Sequence, residues 1–205
     1  MLNQFNRTHW IMSNPASTET GQYLRFIEGA AIPPLHHVYE ASRSLSPARA
    51  RTLAQLSLGL SRWQIARVDG KQISTVKNIQ EEAANTLHVA NDREVLTAVA
   101  HASGWFEDHG QHLVEDILPD SLPGPVSGVW ALSERRREIL SLRASGFTVA
   151  EIASRESISI NTVKNTQAAI MDQVMPQSET GEYGSMHVAV AALWREDLIK
   201  VLSTL

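Results

Sequence analysis

Two stretches decide the fold: Leu45–Gln80, LSPARARTLAQLSLGLSRWQIARVDGKQISTVKNIQ, and Leu132–Gln167, LSERRREILSLRASGFTVAEIASRESISINTVKNTQ. Set against each other at a constant offset of 87 residues and without a gap, they agree at 13 of 36 positions. The agreements include Leu45/Leu132, Ser46/Ser133, Gly59/Gly146, Ile65-Ala66/Ile152-Ala153 and Thr75-Val76-Lys77-Asn78/Thr162-Val163-Lys164-Asn165. Composition alone gives far fewer coincidences, and self-similarity at one fixed spacing marks a duplicated unit.

Both copies carry the same local instructions. Ser46 and Ser133 suit the N-cap of a first helix with apolar positions at Leu53 and Leu56, or at Ile139, Leu140 and Leu142. Gly59 and Gly146 stand where a left-handed helix stop is needed. A short second helix carries the Ile-Ala pair. A third starts near Ser74 or Ser159 and runs to Leu87 or Val174, with its apolar stripe at Val76, Ala83, Leu87 or Val163, Ile170, Val174. A fourth is expected at Arg93–Ala102. Short helix, turn, longer helix is the helix-turn-helix order.

Working outward, residues 1–44 form an N-terminal extension: Met1–Gln22 is rich in Asn, Ser and Thr and is expected to be mobile. Short helices are expected at Tyr23–Ala30 and His36–Arg43, broken by Pro33-Pro34. Gln111–Ile117 reads as a helix, Pro119–Gly128 as a linker and Pro176–Gly184 as a helix-breaking insertion. Ser185–Leu202 reads as a long C-terminal helix whose stripe, Val190, Trp194, Leu198, Val201 and Leu202, suits packing on the first copy or on a second chain. The expected fold is all-α: two tandem four-helix modules at 45–106 and 131–205, joined by 107–130, with the N-terminal extension and the long C-terminal helix.

The 205 residues are 43% hydrophobic and 20% charged, enough for a packed core. A net charge of −4 does not advertise a polyanionic partner. The acids, however, are partly gathered outside the repeats, at Glu107, Asp108, Glu115, Asp116 and Asp120, then Glu179, Glu182, Glu196 and Asp197. There is no cysteine, hence no disulfide or thiolate metal site. No apolar run approaches the roughly 20 residues that span a bilayer, and Met1–Trp10 lacks a signal-peptide pattern, so a cytoplasmic location without membrane contact is expected. No nucleophile elbow, phosphate loop or metalloprotease motif appears, so no catalytic residues, enzyme activity or cofactor are expected. His36-His37 is an unpromising metal pair because adjacent helical residues point apart. Trp63, Trp105, Trp130 and Trp194 are most economically core or interface residues.

On Leu132–Leu140, Gly146, Glu151-Ile152-Ala153, Ile158-Ser159 and Thr162–Asn165, the second copy resembles the LuxR/GerE-type DNA-binding domain of bacterial transcription regulators. The first copy resembles it through Leu45-Ser46-Pro47, Gly59, Ile65-Ala66, Thr75–Asn78, Leu87–Val99 and Gly104-Trp105. The resemblance implies four helices per module, the third laid in the major groove and the fourth used for dimer contact. Carried over by position, it implies DNA contact by Ser74, Thr75, Lys77 and Asn78, and by Asn161, Thr162, Lys164, Asn165 and Thr166.

Those residue types suit the reading of base edges, since asparagine pairs bidentately with adenine, lysine donates to guanine or phosphate, and threonine reaches either. Arg135, Arg136 and Arg137, with Arg49 and Arg62, are candidate phosphate clamps, although Glu134 and Glu138 are placed to pair with the arginine run. The chain departs from the family at Asp69 and Glu156, where an apolar residue is usual. It departs also at Lys71, Arg51, Ile79 and Thr166, and at Gln80 and Gln167, which occupy a normally apolar position.

The leading expectation is a sequence-specific, double-stranded-DNA-binding transcription regulator of an operator or promoter. Its two modules would act as an intramolecular pseudo-dimer on unlike half-sites roughly 34 Å apart. The rival is a helix-turn-helix-derived protein-interaction module without independent DNA binding: an antiactivator, or an RNA polymerase-associated factor akin to sigma-factor region four. A homodimer through the C-terminal helix is a further option.

Overall fold

A computed structural model describes residues 24–117, 122, 126–174 and 185–200. Apart from one pair of two-residue strands, its regular structure is helical. After β1 (Leu24–Arg25) and α1 (Leu35–Ser42) come α2 (Pro47–Ser57), α3 (Arg62–Val68), α4 (Ile73–Leu87) and α5 (Arg93–Ala102). The second half holds α6 (Glu134–Ala144), α7 (Val149–Arg155), α8 (Ile160–Val174) and α9 (Met186–Arg195), followed by β2 (Ile199–Lys200). Every boundary of α2, α3 and α4 recurs 87 residues later in α6, α7 and α8.

The causes of these boundaries recur as well. Ser61 with Gln64, and Thr148 with Glu151, close equivalent capping boxes at the starts of α3 and α7. Gly59 and Gly146 take φ of +91° and +90°, a left-handed conformation that a side chain would strain. In the turn of the helix-turn-helix, Gly70 and Ser157 both adopt positive φ, and the amides of Lys71 and Ile158 reach back to the carbonyls of Ala66 and Ala153. Leu53, Leu56, Ile65, Val76 and Leu87 make the first core; Leu140, Ile152, Val163, Ile170 and Val174 make the second.

The fourth helices are related by a different offset, 93, because six extra residues separate α8 from α9. They pack on each other, and α5 packs also on α6. Val95 to His101, and Met186, His187 and Ala189 to Leu193, are buried, the pattern of helices covered on all sides. Equivalent residues meet across the contact. His101 and Trp194 occupy the same position of α5 and α9, and their rings stack at 5.5 Å with 4° between planes. Within its own half, each ring approaches an equivalent carbonyl: His101 Nε2 lies 3.1 Å from Ser57 O, and Trp194 Nε1 donates to Ala144 O at 3.1 Å.

Across the halves, His187 Nε2 donates to Leu56 O at 2.9 Å, while at the matching positions Glu94 pairs with Arg143 at 3.1 Å. Residue i touches j and j touches i, which is an isologous contact made inside one chain. A pseudo-twofold axis runs between the His101 and Trp194 rings.

Three expectations need correction. Residues 24–30 are not a helix: Leu24 N donates to Leu198 O and Ile27 N to Ser145 Oγ, so their amides serve the second half instead of a helical ladder. The C-terminal helix ends at Arg195, because Asp197 turns left-handed (φ +60°) and the Leu198 amide returns to Leu193 O; the chain then pairs with β1 in parallel. Between the halves, Gln111–Val114 is a 3-10 turn after a π turn at Phe106–Gly110, not a continuous helix. The expectations for Met1–Gln22 and Pro176–Gly184, most of the Pro119–Gly128 linker, and Val201, Leu202 and Leu205 lie outside the described residues.

Candidate nucleic-acid interface

The apolar stripe of each third helix fixes what the rest of it can do. Val76 and Val163 are fully buried, which turns Ser74, Thr75, Lys77 and Asn78 outward on α4, and Asn161, Thr162, Lys164 and Asn165 outward on α8. Lys77, Asn78, Lys164 and Asn165 make no side-chain hydrogen bond with other described residues, so their donors face solvent. The start of α8 is self-capped: Ser159 Oγ accepts from the Thr162 amide at 3.0 Å and lies 2.9 Å from Thr162 Oγ1. Thr166 is half-buried, and its hydroxyl donates to Thr162 O. On α4 the N-cap is Gln72, whose side chain caps nothing.

The arginines are more engaged than their sequence suggests. Arg135 pairs with Glu138 at 3.0 Å and with Glu156 at the end of α7, and the bond to Glu156 raises its pKa above the usual arginine value. Arg136 donates to Gln173 Oε1 at 3.0 Å, beside the end of α8. In the first half Arg49 pairs with Glu82, and Arg62 donates to Gln80 Oε1 at 2.8 Å. These contacts leave the guanidinium groups beside α4, α7 and α8, held in place instead of swinging in solvent.

The departures from an apolar pattern have structural partners. The Asp69 carboxylate is buried and receives Arg51, Gln55 and Lys71 at 3.1, 2.8 and 2.6 Å. Burial alone would push its carboxyl up, but these donors outweigh it and hold the pKa below the usual carboxylate range. Its counterpart Glu156 is paired from one helical turn earlier, by Arg135 on α6, because Glu138 replaces Arg51. Gln80 bridges Arg62 on α3 to Asn91 before α5. Gln167 lacks that bridge, since Val149 replaces Arg62, and its Nε2 is buried without a partner among the described residues.

The tryptophans expected in the core or at an interface differ in burial, and two aliphatics are exposed that the sequence pattern did not single out. Trp105 is buried and Trp194 lies at the pseudo-twofold axis, but Trp63 is 50% exposed with Arg67 over its ring at 5.5 Å. Ile73 and Ile160, the first residues of α4 and α8, are also exposed. Their signal was present in the repeat: they are identical in both copies yet lie off the apolar stripe.

Residues 131–166 match the Sigma-70, region 4 family. The match spans α6, α7 and the leading turns of α8. No curated protein and no solved structure matches the chain. The second half therefore carries a helix-turn-helix module of a DNA-binding kind. Among the described residues, no helix is long and apolar enough to cross a membrane.

Proposed function

We propose that this chain is a sequence-specific transcription regulator, with two tandem LuxR/GerE-like modules that grip duplex DNA as an intramolecular pseudo-dimer. The observation that carries this reading is the coincidence of two duplications: an outward polar face on both α4 and α8, and a pseudo-twofold contact between α5 and α9. A twofold arrangement of recognition helices suits two half-sites in one DNA segment. Charge supports it locally. Residues 45–87 hold six Lys/Arg against three Asp/Glu, and residues 132–174 hold six against five, whereas 107–120 hold five acids and no Lys or Arg. The overall acidity thus belongs to the connection more than to the reading units.

The described part of α9 spends its buried face on α5 and α6 of its own chain, which makes one protomer per site the expected stoichiometry. The test is binding of the full chain to sequences selected from a random duplex pool. The logarithm of affinity is expected to fall with the logarithm of salt concentration with a slope of about one per phosphate contacted. Lys164→Ala and Asn165→Ala are each expected to weaken binding by roughly 1–3 kcal/mol and to relax base preference. No selected sequence and no salt-dependent binding would overturn the reading.

A second reading is favoured by the Sigma-70, region 4 match: an RNA polymerase-associated factor whose second module reads promoter DNA only in the polymerase complex. Co-purification with polymerase, together with no DNA binding by the isolated chain, would favour it.

A further inference from the structure

The exposed large apolar side chains of the described residues are Trp63, Val68, Ile73 and Ile160, and all four lie on the helix-turn-helix elements α3, α4 and α8. Ile73 and Ile160 are equivalent, the first residue of each third helix, and are 51% and 47% exposed. Each stands one helical turn before a solvent-facing lysine on the same face, Ile73 before Lys77 and Ile160 before Lys164. In the first module the isoleucine borders a groove with Trp63, Arg67 and Lys71.

From this placement we infer that Ile73 and Ile160 are base-reading residues, each packing on the 5-methyl group of a thymine in its own half-site. The inference rests on the DNA-binding reading and adds the base that the leading turn selects. An apolar group beside free cations calls for a ligand that is anionic and yet presents apolar groups. Arg67, Lys77 and Lys164 have no carboxylate partner among the described residues, and the nearby Asp69 carboxylate is buried and already satisfied. The major groove offers that combination: phosphates at its walls and, on its floor, the thymine methyl as the apolar feature of a base edge.

The two half-sites are not equally demanding. Trp63 and Val68 widen the apolar surface of the first module, where the second has Ala150 and Arg155. The first module is therefore the one that takes more than one thymine methyl.

The test uses the full chain and a duplex recovered from a random pool, with each thymine replaced in turn by deoxyuridine, which keeps the base pair and removes only the methyl. Wild type is expected to lose roughly three- to fourfold in affinity at one thymine or more in each half-site, the scale of one buried methyl. Ile160→Ser is expected to become indifferent to the substitution in one half-site and Ile73→Ser in the other, both melting like wild type because the positions are exposed. If DNA is bound but uracil and thymine are equivalent everywhere, or both variants keep the thymine preference, the inference fails while the DNA-binding reading stands. If the variants keep DNA binding and lose a co-purifying polymerase instead, the patch is a protein-docking surface and the inference fails. If no duplex is bound at all, the underlying reading fails and takes the inference with it.

Discussion

At the scale of single residues, His187 shows how the contact between the halves constrains chemistry. Its Nε2 faces Leu56 O, which can only accept, so Nε2 carries the proton and Nδ1 is left as a buried acceptor without a partner among the described residues. Complete burial, reinforced by the positive charge of Arg93, pushes the imidazole pKa down to about 3. In the unfolded chain the ring titrates at its ordinary value near 6.5. Between those values the unfolded state binds the extra proton, so stability rises with pH through this window. What the neutral ring contributes is present above about pH 6.5 and is lost as pH falls towards 3, at up to roughly 1.4 kcal/mol per pH unit. His187→Leu is expected to flatten that acid limb in denaturant titrations at pH 4.5 to 7. It should change stability at pH 7 by less than about 1.5 kcal/mol, since Leu56 O still accepts from Thr97 Oγ1 and from the Gly59 amide. An unchanged acid slope in the variant would show that another group controls it.

At the scale of elements, the start of α5 depends on a residue from the other half. Asp92 caps it by accepting from the Glu94 and Val95 amides, and Arg143 of α6 donates to both Asp92 carboxylate oxygens at 3.1 Å and pairs with Glu94. Arg143 is only 2% exposed, so its loss leaves the buried Glu94 and the part-buried Asp92 without their cation. Arg143→Met is expected to destabilise the chain by about 3–5 kcal/mol, whereas Arg135→Met, at an exposed pair, should cost no more than about 1 kcal/mol. Equal effects in chemical denaturation would contradict the buried, structural role of the Arg143 cluster.

The same scale explains what the sequence could tell. The limits of α2–α4 and α6–α8 are set by signals a few residues away, such as Ser61 with Gln64 or the left-handed Gly59, and these are readable one residue at a time. So is the outward face carrying Lys164 and Asn165, once Val163 fixes which side is buried. The end of α9 depends on Asp197 turning and on strand pairing with Leu24, far away in the chain. The Arg143 cluster and the His101–Trp194 stack depend on two halves meeting at an offset changed by six residues, and the exposure of Trp63 depends on no neighbour arriving to cover it.

For the whole molecule, the question is whether two modules make one body or two. Each has its own apolar cluster, which on its own would permit separate unfolding. The contact between them removes that freedom, because α5 and α9 are buried on faces that only the opposite half covers. Opening the halves would expose Ala98, Ala191 and their neighbours, break the Arg143 pairs and unstack His101 from Trp194. The N-terminal segment adds a second tie. It crosses from β1, paired with β2 in the second half, through Ala31, whose amide donates to Glu151, to α1, which packs on α4 and α5. Cooperative unfolding follows where the interface costs more to open than either module gains by surviving alone. Urea unfolding followed by far-ultraviolet circular dichroism and by tryptophan fluorescence is therefore expected to give one coincident transition, with Trp63 and Trp105 reporting from one half and Trp130 and Trp194 from the other. Native-state hydrogen exchange should give the amides of α4 and α8 the same opening free energy at the highest protection. Two separated transitions, or an α4 that exchanges well before α8, would mean that the modules are hinged. Helices α4 and α8 would then lack the fixed spacing that the proposed pair of half-sites on one DNA duplex requires.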